Sequence, residues 1–167
     1  DAHQSQRRAM QPAVSPRAVQ RHWRNAFREA AVRVLDELAP KGRADLCTDY
    51  AMTLSGEALR LITGLDNVTA HEMDAHSQAM IDGISNYAGD ADIEARCLGA
   101  VTALDAAIGV RLDDFAASPP DPNSINGVSV ISVLQRAGAT HDQILANVKL
   151  VISGGQNEPR DAIAGAA

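Results

Sequence analysis

Leu150-Val151-Ile152-Ser153-Gly154-Gly155-Gln156-Asn157-Glu158-Pro159-Arg160-Asp161 is the stretch whose reading decides the fold. It begins inside a helical pattern. Thr140 followed by Gln143 has the spacing of a capping box, and Ile144, Leu145, Val148, Val151 and Ile152 recur at helical intervals. The apolar stripe then meets two glycines, an amide, a carboxylate and a proline. Each glycine costs a helix interior about 1 kcal/mol relative to Ala, and proline about 3 kcal/mol. Pro159 also has no N–H to offer the Gly155 carbonyl. Two arrangements satisfy these facts. One buried helix can open at a single point and receive a small molecule against its backbone. Alternatively, one helix ends at Gly154 or Gly155 and Asn157 caps a second that runs through Ala162 and Ile163.

The same periodicity extends upstream. Residues 4–11 are polar and helix-compatible. Ser15-Pro16 is a helix start, and Val19, Trp23, Phe27, Ala31, Val34, Leu35 and Leu38 follow as one amphipathic stripe ending near Pro40 and Gly42. A second helix covers roughly Leu46 to Thr63, and Gly64 stops it. Thr69 opens a third, to about Tyr87. Asp90 or Asp92 opens a long alanine-rich fourth, to about Ala117, before a proline-rich connector at Ser118–Pro122. Ile125–Ala137 predicts a short helix, although its Val-Ser-Val-Ile-Ser-Val run also suits a strand. The expectation is an all-α, mainly helical array, with residues 1–167 forming part of a single domain.

Composition narrows the functional classes. Of 167 residues, 46% are hydrophobic but only 3% aromatic, so the core must be built from Ala, Leu, Val and Ile. No apolar run is long enough to span a membrane, and no signal peptide pattern stands at the start. Cys47 and Cys97 lie in unrelated contexts, which fits reduced thiols and a cytoplasmic setting. The net charge is −6. Residues 1–43 hold nine Lys/Arg against four Asp/Glu, while the remainder is strongly acidic. That balance argues against nucleic-acid binding and leaves room for a local basic face directed at an acidic partner. Asp1 is not an initiator, and the final residues form helix without a stop signal, so a segment of a longer protein is expected.

Several apparent motifs dissolve on inspection. His71-Glu72-Met73-Asp74-Ala75-His76 places its histidines five apart, on different helix faces, whereas a zinc helix needs four. Asp90-Ala91-Asp92-Ile93-Glu94 lacks the glycine and the terminal glutamate of a calcium loop. Glu57 and Arg60 are an ordinary i, i+3 ion pair. Arg17, Arg21, Arg24 and Arg28 are more informative. They share one helix face and repel one another unless acids or a partner offset them; a solvated face is the plain alternative. His3 and Arg7, four apart, point the same way, a geometry suited to gripping carboxylates.

Taken in order, these pieces resemble the cytochrome P-450 family of heme-thiolate monooxygenases, in its bacterial form. Asp1-Ala2-His3-Gln4-Ser5-Gln6-Arg7-Arg8 is similar to that family's Asp-Pro-Pro-x-His-x-x-x-Arg-Arg segment, and the likeness continues through Pro12–Val19, Gly42-Arg43-Ala44-Asp45-Leu46 and Ile62-Thr63-Gly64-Leu65. Ser153–Pro159 stands where the family's long central helix carries its small-Gly-x-acid-Thr oxygen-binding motif. The resemblance implies a partial P-450 fold ending within that helix, with heme as cofactor. His3 and Arg7 would pair with the heme propionates. Gly154 and Gly155 would lie over the distal face of the iron, and Leu150 and Ser153 would border the substrate. Arg17, Arg21, Arg24 and Arg28 would form a docking face for a ferredoxin-type donor relaying electrons from NAD(P)H. Residues 71–117 would roof the pocket of a small, largely apolar organic substrate.

Two departures bear on mechanism. Where the family has an acid then a threonine, this chain has Asn157 and Glu158, so any proton delivery would fall to Glu158. Neither cysteine matches the family's heme-ligating loop, so the axial cysteine would lie outside this chain, and the segment alone would be inactive. A non-enzymatic helical ligand-binding or regulatory interaction domain is the competing expectation.

Overall fold

A computed structural model describes residues 2–166, with side chains from residue 4 onward. Helices α1 (Ala2–Val14), α2 (Pro16–Ala18), α3 (Arg24–Leu38), α4 (Met52–Thr63), α5 (Ala70–Ile84), α6 (Ala91–Ala117), α7 (Val130–Arg136), α8 (His141–Gly155) and α9 (Asn157–Ala166) follow in order, with no strand among the described residues.

The starts are set by local chemistry. Ser15 accepts a hydrogen bond from the Ala18 N–H, with Pro16 at the first helical position. Thr69 and Glu72 close a capping box on α5, and Thr140 and Gln143 close one on α8. Asp90 caps α6 through the N–H groups of Asp92 and Ile93. Gly64 ends α4 at φ 88°, a left-handed conformation that favours glycine.

The first amphipathic rod departs from its expected register. A π-helical turn at Val19–Trp23 joins α2 to α3, adding one residue to the local repeat. The buried row is therefore Ala18, Trp23, Ala30, Val34 and Leu38, while Val19 and Leu35, expected on the apolar stripe, are exposed. Trp23 fixes this register. Its indole N–H donates to the Ala13 carbonyl at 2.6 Å, and its ring stacks on Phe27. A second π segment, Leu46–Ala51, leads into α4.

The core gathers Leu59 of α4, Met73 and Met80 of α5, Leu104, Ile108 and Phe115 of α6, and Ile144, Val148 and Ile152 of α8 around α7. Val130, Ile131, Ser132, Val133 and Leu134 are all buried. A short helix covered on every side needs no polar face, which is why its sequence also passes for a strand. The buried Arg111 of the long α6 is tied in as well: its Nε donates to the Gly64 carbonyl and pairs with Asp66, and its head lies 4.4 Å over the Phe115 ring.

Candidate functional site

The second of the two arrangements expected for the 150–161 stretch forms in outline, one helix ending at Gly155 and another running through Ala162 and Ile163, but Asn157 is the first residue of that second helix and not its cap. α8 runs to Gly155, α9 begins at Asn157, and the one residue between them, Gln156, keeps right-handed helical angles. The rod is interrupted for a single residue.

The residues expected to act here separate into distinct surroundings. Leu150 is 65% exposed. One turn on, a Cβ at Gly154 would meet nothing within 4 Å. Leu150 and Ser153 line a cavity of about 290 Å³ with Met80 and Ile84 of α5 and Cys97 and Val101 of α6. Lys149, beside it, pairs with Asp105 of α6 at 2.5 Å and so joins α8 to the long helix. Gly155 faces elsewhere: its Cβ would stand 2.9 Å from Leu59 Cδ2, so this glycine lets α8 approach α4. Asn157 is half-buried, and its Oδ1 is buried without a partner; Glu158 is exposed.

Arg7 is exposed on α1, in a shallow groove with Gln4, Arg8 and Gln11. The neighbouring Gln6 accepts from Asn147 Nδ2 at 3.4 Å, which sets α1 beside α8. The His3 side chain lies outside the described residues. Arg17, Arg21, Arg24 and Arg28 are all exposed, and none belongs to an ion pair among the described residues. Arg17 and Arg21 share a groove with His22, Pro122 and Asn123, to which the Asp121–Ser124 turn contributes.

Four residues at the joint were not singled out in the sequence. Gln156 is fully buried, its Nε2 donating to Asp74 Oδ1 at 2.8 Å. Ser55 Oγ donates to the Gln156 carbonyl at 2.7 Å, and Ser77 Oγ to the Ile152 carbonyl at 3.1 Å. The available signal was small: an amide immediately after the glycine pair.

No protein-family model matches the chain. Its sequence is similar to a C-19 steroid 1alpha-hydroxylase of Sorangium cellulosum (strain So ce56), 33% identical over 84 residues, which is 50% of this chain and 21% of that protein. Its structure is similar to Sorangium cellulosum So Ce56 cytochrome P450 260B1, with a TM-score of 0.74 and 24% identity, covering 94% of this chain and 39% of that one. The chain has part of the cytochrome P450 fold. The P450 resemblance carried by the ordered motifs therefore stands, and so does the all-helical, partial P450 architecture. The P450 match extends over nearly the whole of this chain but well under half of the solved P450. Among the described residues, no helix is long and apolar enough to cross a membrane.

Proposed function

We propose that residues 1–167 are the oxygen-side part of a single heme-monooxygenase domain that oxidises a small, largely apolar organic molecule. The row from Leu150 to Gly154 carries this reading. It places an apolar residue and an open, side-chain-free turn next to an apolar cavity, on a P450-type fold.

The residues present suit heme. Gly154 leaves free space beyond its Cα, so a flat group can lie against that turn. The exposed Arg7 guanidinium can take a propionate, with His3 four residues before it in sequence. When bound, heme supplies the activation of dioxygen. Leu150 and Ser153 would orient the substrate, and Glu158 would hold the proton to be delivered, because the Asn157 amide cannot donate as an acid. Cys47 is exposed, and Cys97 packs against Gly83. A thiolate holding the heme would come from a cysteine outside these residues, and the segment alone would be inactive.

The related hydroxylase is named for C-19 steroids, and the open apolar groove lined by α5, α6 and α8 suits a substrate of that general character. The arginines at 17, 21, 24 and 28 fit docking by an acidic, ferredoxin-type donor fed by NAD(P)H. A cytoplasmic location completes the reading. The test is expression of the natural protein with heme, followed by the carbon-monoxide difference spectrum of the reduced form. The band of thiolate-ligated heme is expected; its absence sinks the assignment.

A further inference from the structure

Helices α4 and α5 reach the joint between α8 and α9 through polar groups that the proposed reaction does not use. Gln156 is 0% exposed. Its Nε2 donates to Asp74 Oδ1 at 2.8 Å and to the Met52 carbonyl at 3.4 Å. Its own carbonyl accepts from Ser55 Oγ at 2.7 Å. That same carbonyl is 3.3 Å from the Arg160 N–H, the first ladder bond of α9. One turn earlier, Ser77 Oγ donates to the Ile152 carbonyl at 3.1 Å, the acceptor that an unbroken helix reserves for the Gln156 N–H. Hydroxyls from two neighbouring helices thus hold the two carbonyls that flank the interruption. A buried primary amide is costly unless bonded, and leucine would fill the same space. The donor side of the amide is explained by its bond to Asp74, while its Oε1 is buried without a partner.

We propose that Asp74 and Ser55 are positioning residues that act through Gln156. They fix the turn at which α8 gives way to α9, and with it the rotation at which Asn157 and Glu158 are presented. The consequence for catalysis rests on the heme reading above; the geometric claim does not.

Two measurements on the natural protein test this. The first is amide hydrogen exchange, which needs no bound cofactor. Asp74→Leu and the milder Ser55→Ala should speed exchange at least tenfold at the amides of Arg160 and Asp161, in the first hydrogen-bonded turn of α9. The amides of Ile144 to Val148 should keep their protection. Asp74→Asn retains an oxygen that accepts from Gln156 and should restore the wild-type pattern. Unchanged protection in both variants, loss spread evenly along α8, or failure of Asp74→Asn to rescue would each overturn the proposal. The second measurement is product formed per oxygen consumed by the heme-loaded protein. It should fall about threefold in Asp74→Leu with KM unchanged and recover in Asp74→Asn. A ratio that stays constant despite local loss of protection overturns the catalytic consequence. A protein that binds no heme overturns the assignment of function and leaves the exchange result to decide the geometry.

Discussion

Gly155 lies against Leu59: a Cβ on Gly155 would come within 2.9 Å of Leu59 Cδ2, whereas one on its neighbour Gly154 meets nothing within 4 Å. Two adjacent glycines are thus present for different reasons. Gly154→Ala should stabilise the fold by about 0.5–1 kcal/mol, since alanine loses less entropy in a helix, yet lower product formation by filling the open turn. Gly155→Ala gains the same helical preference but forces a core leucine to move, for a net loss of about 1 kcal/mol. Thermal unfolding of both variants checks the signs. A destabilised Gly154→Ala would show that this turn is closed against something.

Gly56 sits at a tighter crossing. A Cβ there would stand 2.6 Å from the Ala70 carbonyl oxygen. The obstacle is backbone, so no side chain can rotate away, and α4 and α5 must part. Gly56→Ala should cost about 2–3 kcal/mol, read as a lowered urea midpoint. Gly99→Ala, with nothing within 4 Å on α6, should lower no midpoint and serves as the control. Equal midpoints for the two variants would refute the close crossing.

These contrasts mark where the sequence was legible. Helix starts were, because capping chemistry is local: Ser15, Thr69, Asp90 and Thr140 each cap within three residues of themselves. The Glu57–Arg60 pair forms at 2.6 Å for the same reason. The π turns were not legible. Only the packing of Trp23 beneath Ala13 fixes a five-residue step between Ala18 and Trp23, and a 3.6-residue period carried back across it puts Val19 on the wrong side. Gln156 was illegible as well, because its partners Asp74 and Ser55 lie 82 and 101 residues away in sequence. The row from Leu150 to Gly154 was half legible. Leu150, Ser153 and Gly154 share a helix face by spacing alone, but separating Gly154 from Gly155 requires knowing where Leu59 lies.

Glu72 links stability to pH. Hydrogen bonds from the Thr69 backbone N–H and then its hydroxyl hold the Glu72 carboxyl below its ordinary value of 4.5, with smaller help from His76 and His71. A depressed carboxylate stabilises the fold above its unfolded pKa, and that contribution is lost as pH falls through the lowered folded value. The gap in melting temperature between the native protein and Glu72→Gln should therefore be widest above pH 4.5 and close below it. A gap independent of pH would show that the charge is irrelevant to the cap.

The unpaired arginines predict a salt-dependent encounter. Arg21 and Arg24 are exposed on either side of the boundary between the π turn and α3. Reversing both with Arg21→Glu and Arg24→Glu should weaken binding of an acidic electron donor and flatten its dependence on ionic strength, since exposed charges are screened within about 10 Å at 0.1 M salt. The stability of the fold should be nearly unchanged, because neither side chain has an ionic partner among the described residues. Unaltered reduction kinetics in the double variant would remove the docking role.

Proton delivery separates the two polar residues that follow the joint. Asn157 is half-buried with an orphaned Oδ1, and its amide has no acidic proton to give. Glu158 is exposed, so its carboxyl is in contact with solvent. Glu158→Gln should therefore slow oxygen turnover by on the order of 100-fold, the usual scale for losing a general acid. Asn157→Ala should cost far less. Deuterated solvent sharpens the comparison: a kinetic isotope effect present in the native protein and in Asn157→Ala should vanish or change in Glu158→Gln. A Glu158→Gln variant with undiminished product yield would assign the proton to another group and leave Glu158 as a solvated charge on the first turn of α9.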